Sequence, residues 1–324
     1  MTGSTISVLP GAFAAAGTLY GQNHDAAMSV VTTLAKVLDS QWGCGGTDDS
    51  GHKWCDKYDP AALNAVATAT DVVNALGKLN DLLQVDSVNH ANADNGSHFD
   101  PNASNQIQPP PPTAYVDAPA FKGAYGGDTD APFGWGLISR WLQGRMWPNG
   151  DSGKLRTVSS AWEAAKVGMS GAKTAVANAR RIVNEQVSGE VAQILTQIDI
   201  VDAAIDNVIS QCDELSLASV DYAQAIDTAH AKIFRELGEF IAIAGAGQPG
   251  AAAPTTRLAA PDPRSRRLRP RRAAGPITSL SGRRAGMPVP AVQNSSSDQG
   301  IRIGNGKPIS MASESFGDHL PVRR

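Results

Sequence analysis

The sequence predicts an all-α protein, in which an antiparallel helical hairpin precedes a bundle of long helices and a disordered C-terminal tail. Two observations support this fold class. Apolar residues recur every three or four positions through long stretches, which is the spacing of one face of a helix. No useful length of the chain before the tail alternates apolar and polar residues as a strand does. The later stretches keep a heptad-like spacing, which favours long helices packed nearly parallel or antiparallel.

Residues 7–94 are predicted to form the hairpin. The first helix begins at Pro10, a residue favoured in a first turn, and ends at Gln41. The second begins with Asp59 as N-cap and Pro60 as its first helical residue, and it fades near Asn92. Two such helices joined by a compact loop pack antiparallel. The predicted core-facing residues are Phe13, Ala16, Tyr20, His24, Ala27, Val31, Leu34 and Leu38 in the first helix and Leu63, Val66, Thr70, Val73, Leu76, Leu79 and Leu83 in the second.

Residues 95–132 are predicted to be a linker, because they contain the proline run 109–112 and several Asn and Gly residues. Residues 133–246 return to a helical pattern, with a short amphipathic piece from Leu137 to Met146 and a turn at residues 147–151. The apolar faces that follow are Leu155, Val158, Trp162, Ala165, Met169, Ala172, Val176, Ala179 and Val183, then Val191, Ile194, Ile198, Val201, Ile205, Val208 and Cys212, and finally Ile226, His230, Ile233, Leu237 and Phe240.

Charge separates residues 247–324 from the rest of the chain. They carry 13 Lys and Arg against 4 Asp and Glu, whereas residues 1–246 carry 15 against 27. The segment also holds 10 of the 20 prolines and no Trp, Tyr or Cys, so it cannot bury enough apolar surface to offset its chain entropy. We expect a disordered basic tail that could reach an anionic membrane surface. Nucleic-acid binding is not favoured, because Phe316 is its only aromatic residue for base stacking.

No arrangement of residues points to an enzyme. The chain has no Gly-x-Ser-x-Gly elbow, phosphate-binding loop, dinucleotide fingerprint or His-Glu-x-x-His motif. His24 and His230 fall on helical faces, where a packed and hydrogen-bonded histidine is expected. Acidic pairs such as Asp48-Asp49 sit beside turn signals and indicate caps or solvated surface. We therefore predict no enzymatic activity, no cofactor and no metal.

The sequence also argues against a membrane-spanning helix and against a Sec signal peptide. The apolar run at residues 240–244 is far shorter than the roughly 18 residues of a membrane-spanning helix. The first ten residues lack the basic and apolar segments of a Sec signal peptide. Neither a transmembrane segment nor Sec export is expected.

Three residues between the first two helices raise the questions of zinc and of a disulfide. Cys44, His52 and Cys55 lie close together, but a structural zinc site needs a fourth ligand. A Cys44–Cys55 bridge is favoured if the protein is exported, and free thiols are expected in a reducing cytosol. The bridge would close a loop of about 12 residues and stabilise it by a few kcal/mol. Cys212 falls on a helical face and is predicted to be a core residue.

Aromatic residues are the most informative set. Four of the six tryptophans, at positions 135, 141, 147 and 162, fall within 28 residues. Core packing at a helix junction explains such a cluster. A partner-recognition surface is the alternative, because Trp is enriched at binding hot spots.

Two strings of residues carry resemblances to known families. Trp42-Gly43, the segment 46–51, Trp54 and the segment 58–60 resemble the helix–helix turn of the small WXG-type proteins of actinobacterial type VII secretion. The segment 147–151, Leu155-Arg156 and Ala161-Trp162 are similar to the N-terminal domain of the mycobacterial necrotizing-toxin precursors, also called outer membrane channel proteins, and of related polymorphic toxins. No Tyr in the chain is followed by Asp or Glu four residues later, so the export signal of the secretion family is absent.

These resemblances imply a non-enzymatic substrate of type VII secretion: a trafficking and interaction module of a toxin-like protein without its catalytic domain. The implied location is outside the cell or at its surface, reached by the type VII route. The implied partners are the secretion machinery, a small helical protein or a second copy of the chain. A membrane-active or pore-forming protein is the alternative, and a toxin enzyme is a third, less favoured one. The interaction candidates are Trp42, Gly43, Asp49, Gly51, Trp54, Tyr58, Trp147, Pro148, Gly150, Asp151 and Trp162.

Overall fold

The computed structural model describes residues 7–97, 106–132, 135–139 and 147–246. Within them five helices form: α1 Pro10–Ser40, α2 Asp49–Ser97, α3 Trp135–Ile138, α4 Ser152–Asn184 and α5 Val191–Ala246. The described residues contain no strand, only two isolated bridges that pair Ser7 with Val187 and Gly46 with Gly126. The all-α prediction is confirmed. The predicted tail 247–324, Trp141 and most of the predicted short helix from Leu137 to Met146 lie outside the described residues.

The described residues up to Leu237 form one compact unit, and from Gly238 the end of α5 belongs to a second. A single hydrophobic core in the first unit draws on α1, α2, α4 and α5. Helix α1 packs against both α2 and α4. The predicted boundaries between hairpin, linker and bundle stay predictions.

Helix α1 matches its prediction. It begins at Pro10, ends one residue before Gln41, and buries all eight residues predicted to face the core. Its polar core residue Asn23 donates a hydrogen bond to the Ala172 carbonyl oxygen of α4 at 2.9 Å. Ser87 of α2 donates to the Pro10 carbonyl oxygen at 2.8 Å, so the start of α1 lies beside the second half of α2. The hairpin is therefore antiparallel, as predicted.

The predicted start of α2 was wrong by eleven residues. The helix begins at Asp49 and runs through Pro60. Asp48 supplies the cap instead, since its Oδ1 accepts hydrogen bonds from the Ser50 and Gly51 amides at 2.7 and 3.0 Å. Leu63 was also wrongly assigned to the core, because its side chain is 55% exposed, whereas the other six predicted residues are buried.

The predicted linker contains a segment that is bound along α2. Residues 106–124, which we call the strap, run antiparallel to α2 without regular secondary structure. Side chains of α2 hold the strap at four points by hydrogen bonds to its backbone. From the start of the strap to its end, these contacts are Asn92 with Ile107, Asp81 with Thr113, Asn74 with Val116 and Asp59 with Ala124.

Helices α4 and α5 form a second antiparallel pair. All nine residues predicted to face the core from α4 are buried. Helix α5 is 56 residues long, and eight of its predicted core-facing residues are buried: Val191, Ile198, Val201, Ile205, Val208, Cys212, Ile226 and Ile233. Ile194, His230 and Leu237 are half-buried, and the side chain of Phe240 lies outside the described part of the structure. Ion pairs at heptad spacing line one side of the pair. They are Lys166 with Asp213, Lys173 with Asp206 and Arg180 with Asp199.

Candidate interaction site at the helix junction

The loop between α1 and α2 is pinned to the end of the strap at one end of the bundle. The Gly45 amide donates to the Ala124 carbonyl oxygen at 2.8 Å, and the Gly126 amide donates to the Gly46 carbonyl oxygen at 3.3 Å. Gly43 and Gly46 have φ values of +71° and +82°, which side-chain-bearing residues rarely adopt. Two glycines of the first resemblance, Gly43 and Gly46, are therefore required by the path of the loop.

The segment 147–151 of the second resemblance docks onto this same loop. The Asp151 amide donates to the Cys44 carbonyl oxygen at 2.9 Å. The carboxylate of Asp151 also caps α4 by accepting the Gly153 and Lys154 amides, each at 2.9 Å. The two strings, about 100 residues apart in sequence, thus form one structure. We call it the junction, comprising residues 41–59, 122–129 and 147–151 with the facing part of α5.

Asn149 joins three parts of the junction. Its Oδ1 accepts the Thr47 and Asp48 amides at 2.8 and 3.1 Å. Its Nδ2 donates to Thr47 Oγ1 at 2.7 Å and to Asp128 Oδ1 at 2.9 Å. Its own amide donates to Asp48 Oδ2 at 2.8 Å. Asn149 thus supplies hydrogen-bond partners for the Thr47 and Asp48 amides, which would otherwise need water or another partner.

A stack of aromatic rings fills the interior of the junction. The Trp54 ring lies between those of Tyr58 and Tyr222, with centroid distances of 4.4 and 4.7 Å and nearly parallel planes. Trp162 is fully buried, and its Nε1 donates to the Tyr58 hydroxyl at 2.8 Å. Burial raises the pKa of Tyr58 and of Tyr222 above the ordinary tyrosine value, so both hydroxyls stay neutral. Trp54, Tyr58 and Trp162 are thus core residues of the folded protein.

The outer side of the junction presents aromatic rings to solvent. Trp42 is 47% exposed, and the Lys122 ammonium lies 5.6 Å from the centre of its ring. Tyr125 is also 47% exposed and contacts the His52 ring edge-on at 5.4 Å. Trp42 and Tyr125 flank the bridge between Gly46 and Gly126, so a rigid backbone supports both rings.

Trp147 packs on α5 at the other side of the junction. Its ring stacks on His230 with centroids 3.9 Å apart, and His230 Nε2 lies 2.7 Å from the Pro148 carbonyl oxygen. Trp135 and Phe234 contact the Trp147 ring edge-on. Trp147 is half-buried, which fits the packing interpretation of the tryptophan cluster better than a fully displayed ring.

The remaining candidates divide by exposure. Asp49 is exposed at the start of α2 and pairs with Lys53 at 2.7 Å. Pro148 is half-buried. Gly51 and Gly150 are buried where loop backbone passes close by, since a Cβ on Gly150 would lie 3.0 Å from the Gly45 carbonyl oxygen. Gly51 and Gly150 therefore shape the junction without presenting a surface, whereas Asp49 is open to solvent.

Both candidate disulfide residues are buried free thiols, and the Cys55 sulfur packs directly on Gly45, the neighbour of Cys44. Burial raises the pKa of each thiol to about 12. His52 faces solvent and pairs with Asp56 at 2.9 Å. Among the residues that the structure describes, no group of three or more His, Cys, Asp and Glu residues could hold a metal ion.

We expect reduced, folded protein to resist alkylation at Cys44 and Cys55, because only the thiolate reacts and a pKa of about 12 leaves very little thiolate at pH 8.

The Cys44–Cys55 bridge stays a prediction for exported protein. Intact-mass analysis of secreted material, alkylated in denaturant with and without prior reduction, tests it. Two alkylated thiols at these positions without reductant would rule out the bridge, and Cys212, which is also buried, serves as the internal control.

Two contributors to the junction were not identified from the sequence: Asn149 as the hydrogen-bonding centre and Tyr222 as an aromatic partner from α5. His230 was predicted as a packed, hydrogen-bonded residue of a helical face, but not as the partner of Trp147. Asn149 lies in the segment 147–151, for which the sequence predicted only a turn. Tyr222 precedes the buried positions of the last predicted face and carries no local signal, since its hydroxyl partner, the Gly45 carbonyl oxygen, is 177 residues away.

Comparison with known proteins finds mycobacterial relatives. The chain is 30% identical over 208 residues to "Outer membrane channel protein CpnT" of Mycobacterium tuberculosis (strain ATCC 25618 / H37Rv), a match that covers 63% of this chain and 24% of CpnT. The CpnT of Mycobacterium bovis (strain BCG / Pasteur 1173P2) gives the same values. The chain is also 33% identical over 147 residues to "Putative NAD(+)--arginine ADP-ribosyltransferase Mav" of Mycobacterium avium (strain 104), covering 45% of this chain and 18% of Mav.

The chain thus spans about a quarter of the length of the CpnT proteins that it matches. No protein-family model matches it, and no solved structure matches it significantly. The resemblance to toxin-like mycobacterial proteins is confirmed at this level: the chain is related in sequence to CpnT and Mav.

Proposed function

We propose that this chain is a non-enzymatic trafficking and interaction module of a secreted, toxin-like protein, exported by the type VII route. The observation that carries the proposal is the exposed ring of Trp42 at the end of the α1–α2 hairpin. This large apolar side chain lies on a loop fixed by backbone hydrogen bonds, and its contacts with Gly126 and Lys122 leave it 47% exposed. It is the kind of residue that anchors a protein–protein contact.

The relatives support a carrier role over a catalytic one. The matched stretches of 208 and 147 residues must overlap within a chain of 324. The two relatives are named for different activities, a channel and an ADP-ribosyltransferase. A region common to both is better explained by a task that both share, such as export or recognition.

The proposed mechanism is rigid presentation. Asn149, the two helix caps and the strap hold the loop in one conformation, so little conformational entropy is lost when a partner binds. A partner would bury the rings of Trp42 and Tyr125, either in a hydrophobic groove or against the apolar face of an amphipathic helix. The partner is the secretion machinery, a small helical protein or a second copy of the chain.

A secretion assay with Trp42→Ala tests this proposal. In an actinobacterial host, we expect the variant to reach the culture medium at about a tenth of the wild-type level or less, because one hot-spot truncation commonly costs 2 kcal/mol or more. Its melting temperature should stay close to that of the wild type, since the ring lies outside the core. The wild-type protein should remain in cells that lack the type VII ATPase.

Leu63→Ala is the matched control, because Leu63 is 55% exposed on α2 outside the junction. It should be exported normally. Normal export of Trp42→Ala, or export of the wild type without the type VII ATPase, would refute the proposal.

A membrane-active protein is the second candidate, and the name of the CpnT relatives as outer membrane channel proteins favours it. Among the described residues, no helix combines the length and the apolar character that crossing a membrane requires. Dye release from liposomes of anionic and neutral lipids distinguishes the two candidates, since the interaction module should release none.

A further inference from the structure

The strap contains four consecutive prolines, residues 109–112, between two anchored positions. Before the run, the Asn92 side chain bonds both backbone groups of Ile107, with distances of 2.9 and 3.0 Å. After it, the Asp81 carboxylate accepts the Thr113 amide at 2.9 and 3.0 Å and the Thr113 hydroxyl at 2.7 Å. The proline run is therefore held at both ends.

The spacing of the anchors shows that the run is extended. Asn92 and Asp81 are eleven residues apart on a continuous helix, which separates them by about 16 Å at 1.5 Å per residue. The strap covers the same span in six residue-to-residue steps, from Ile107 to Thr113. A polyproline II helix of that length spans roughly 19 Å at 3.1 Å per residue, whereas an α-helix would span only about 9 Å. The segment 107–113 must be nearly fully extended, and a proline run adopts that state as polyproline II.

The prolines face solvent. Every residue from 106 to 112 is exposed, and none belongs to the hydrophobic core or to its partly buried margin. Tyr115, just beyond Thr113, is 75% exposed. Elsewhere the strap does pack, since Ala124 is 5% exposed and Val116 and Phe121 contact the core. The proline run thus lies in the longest continuously exposed stretch of the strap, residues 106–112.

We propose that residues 109–112 are a preformed polyproline II ligand, displayed on α2 for a protein with an aromatic-lined groove that reads such helices. Grooves of this class bind exposed prolines together with the backbone carbonyl oxygens between them, and they gain affinity when the ligand is already ordered. Asn92 and Asp81 supply that order here. The surface lies along α2, and this inference does not rest on the export role of Trp42.

A polyproline-binding domain selected in vitro tests whether the proline run is ordered before binding. An SH3 domain is first selected, from a library with randomised specificity loops, for binding to the synthetic peptide 106–117. Calorimetric titration then compares this domain with the peptide and with the whole chain. We expect the chain to bind about 5- to 10-fold more tightly than the peptide, because its proline run is ordered before binding.

Removing an anchor should abolish this advantage and leave affinity equal to that of the peptide. Asn92→Ala and Asp81→Ala are the two anchor variants, and Asn89→Ala, an exposed asparagine on the same helix, is the matched control that should keep wild-type affinity. Circular dichroism confirms that each variant is folded. Binding of the chain that is no tighter than that of the peptide, or a full advantage retained by both anchor variants, would overturn the proposal.

Discussion

Replacing Trp162 with alanine should lower the free energy of unfolding by about 3–5 kcal/mol, the usual cost of deleting a buried large aromatic side chain. The ring is fully buried on α4 and lies where α4, α2 and the junction meet. The substitution removes its packing and also leaves the Tyr58 hydroxyl without its indole donor. Chemical denaturation monitored by circular dichroism measures the change.

Two further variants separate packing from hydrogen bonding. Tyr58→Phe keeps the ring but leaves Trp162 Nε1 buried without an acceptor, so we expect a cost of about 1–3 kcal/mol. Val167→Ala, at a position of α4 that is 63% exposed, should change stability by less than about 0.5 kcal/mol. A neutral Trp162→Ala combined with lost partner binding would instead assign Trp162 to a recognition surface.

The helices could be predicted because their signals are local. Each predicted core residue of α4 is separated from the next by three or four positions, and the helix places all of them on one side. The start of α2 could not be read in this way. Asp59 and Pro60 imitate a helix start, but the Asp59 carboxylate accepts the Ala124 amide at 2.7 Å, and Asp48 caps the helix eleven residues earlier.

The sequence could predict the residue types of the junction, but not the contacts between segments that are distant in sequence. The glycines and the aromatic rings of the two strings could be identified by residue type alone. Glycine is the usual residue where a turn needs a positive φ, and large aromatic rings are uncommon in this chain. That the strings would meet was not accessible, since Asn149 bonds residues about 100 positions away. The strap was hidden too, because its composition is that of a linker and its fixation depends on Asn and Asp side chains of α2.

The junction has its own decisive test in Gly46→Ala. Gly46 has a φ of +82°, and a left-handed conformation costs about 1–2 kcal/mol for a residue with a side chain. A Cβ there would also lie 2.6 Å from the Gly150 amide nitrogen, a backbone atom that cannot turn away. We expect a total loss of about 3–4 kcal/mol in the free energy of unfolding, because the loop and the segment 147–151 must separate to admit the methyl group.

Gly171→Ala is the matched control, since the same change is made in the middle of α4, where a Cβ meets nothing within 4 Å. It should stabilise the protein by about 0.5–1 kcal/mol through better helix propensity. Opposite signs for one chemical change are expected only if backbone geometry at the junction, and not side-chain size, is what Gly46 supplies. If Gly46→Ala were as harmless as Gly171→Ala, the α1–α2 loop and the segment 147–151 would not be docked in solution, and the rigid presentation of Trp42 would lose its structural basis.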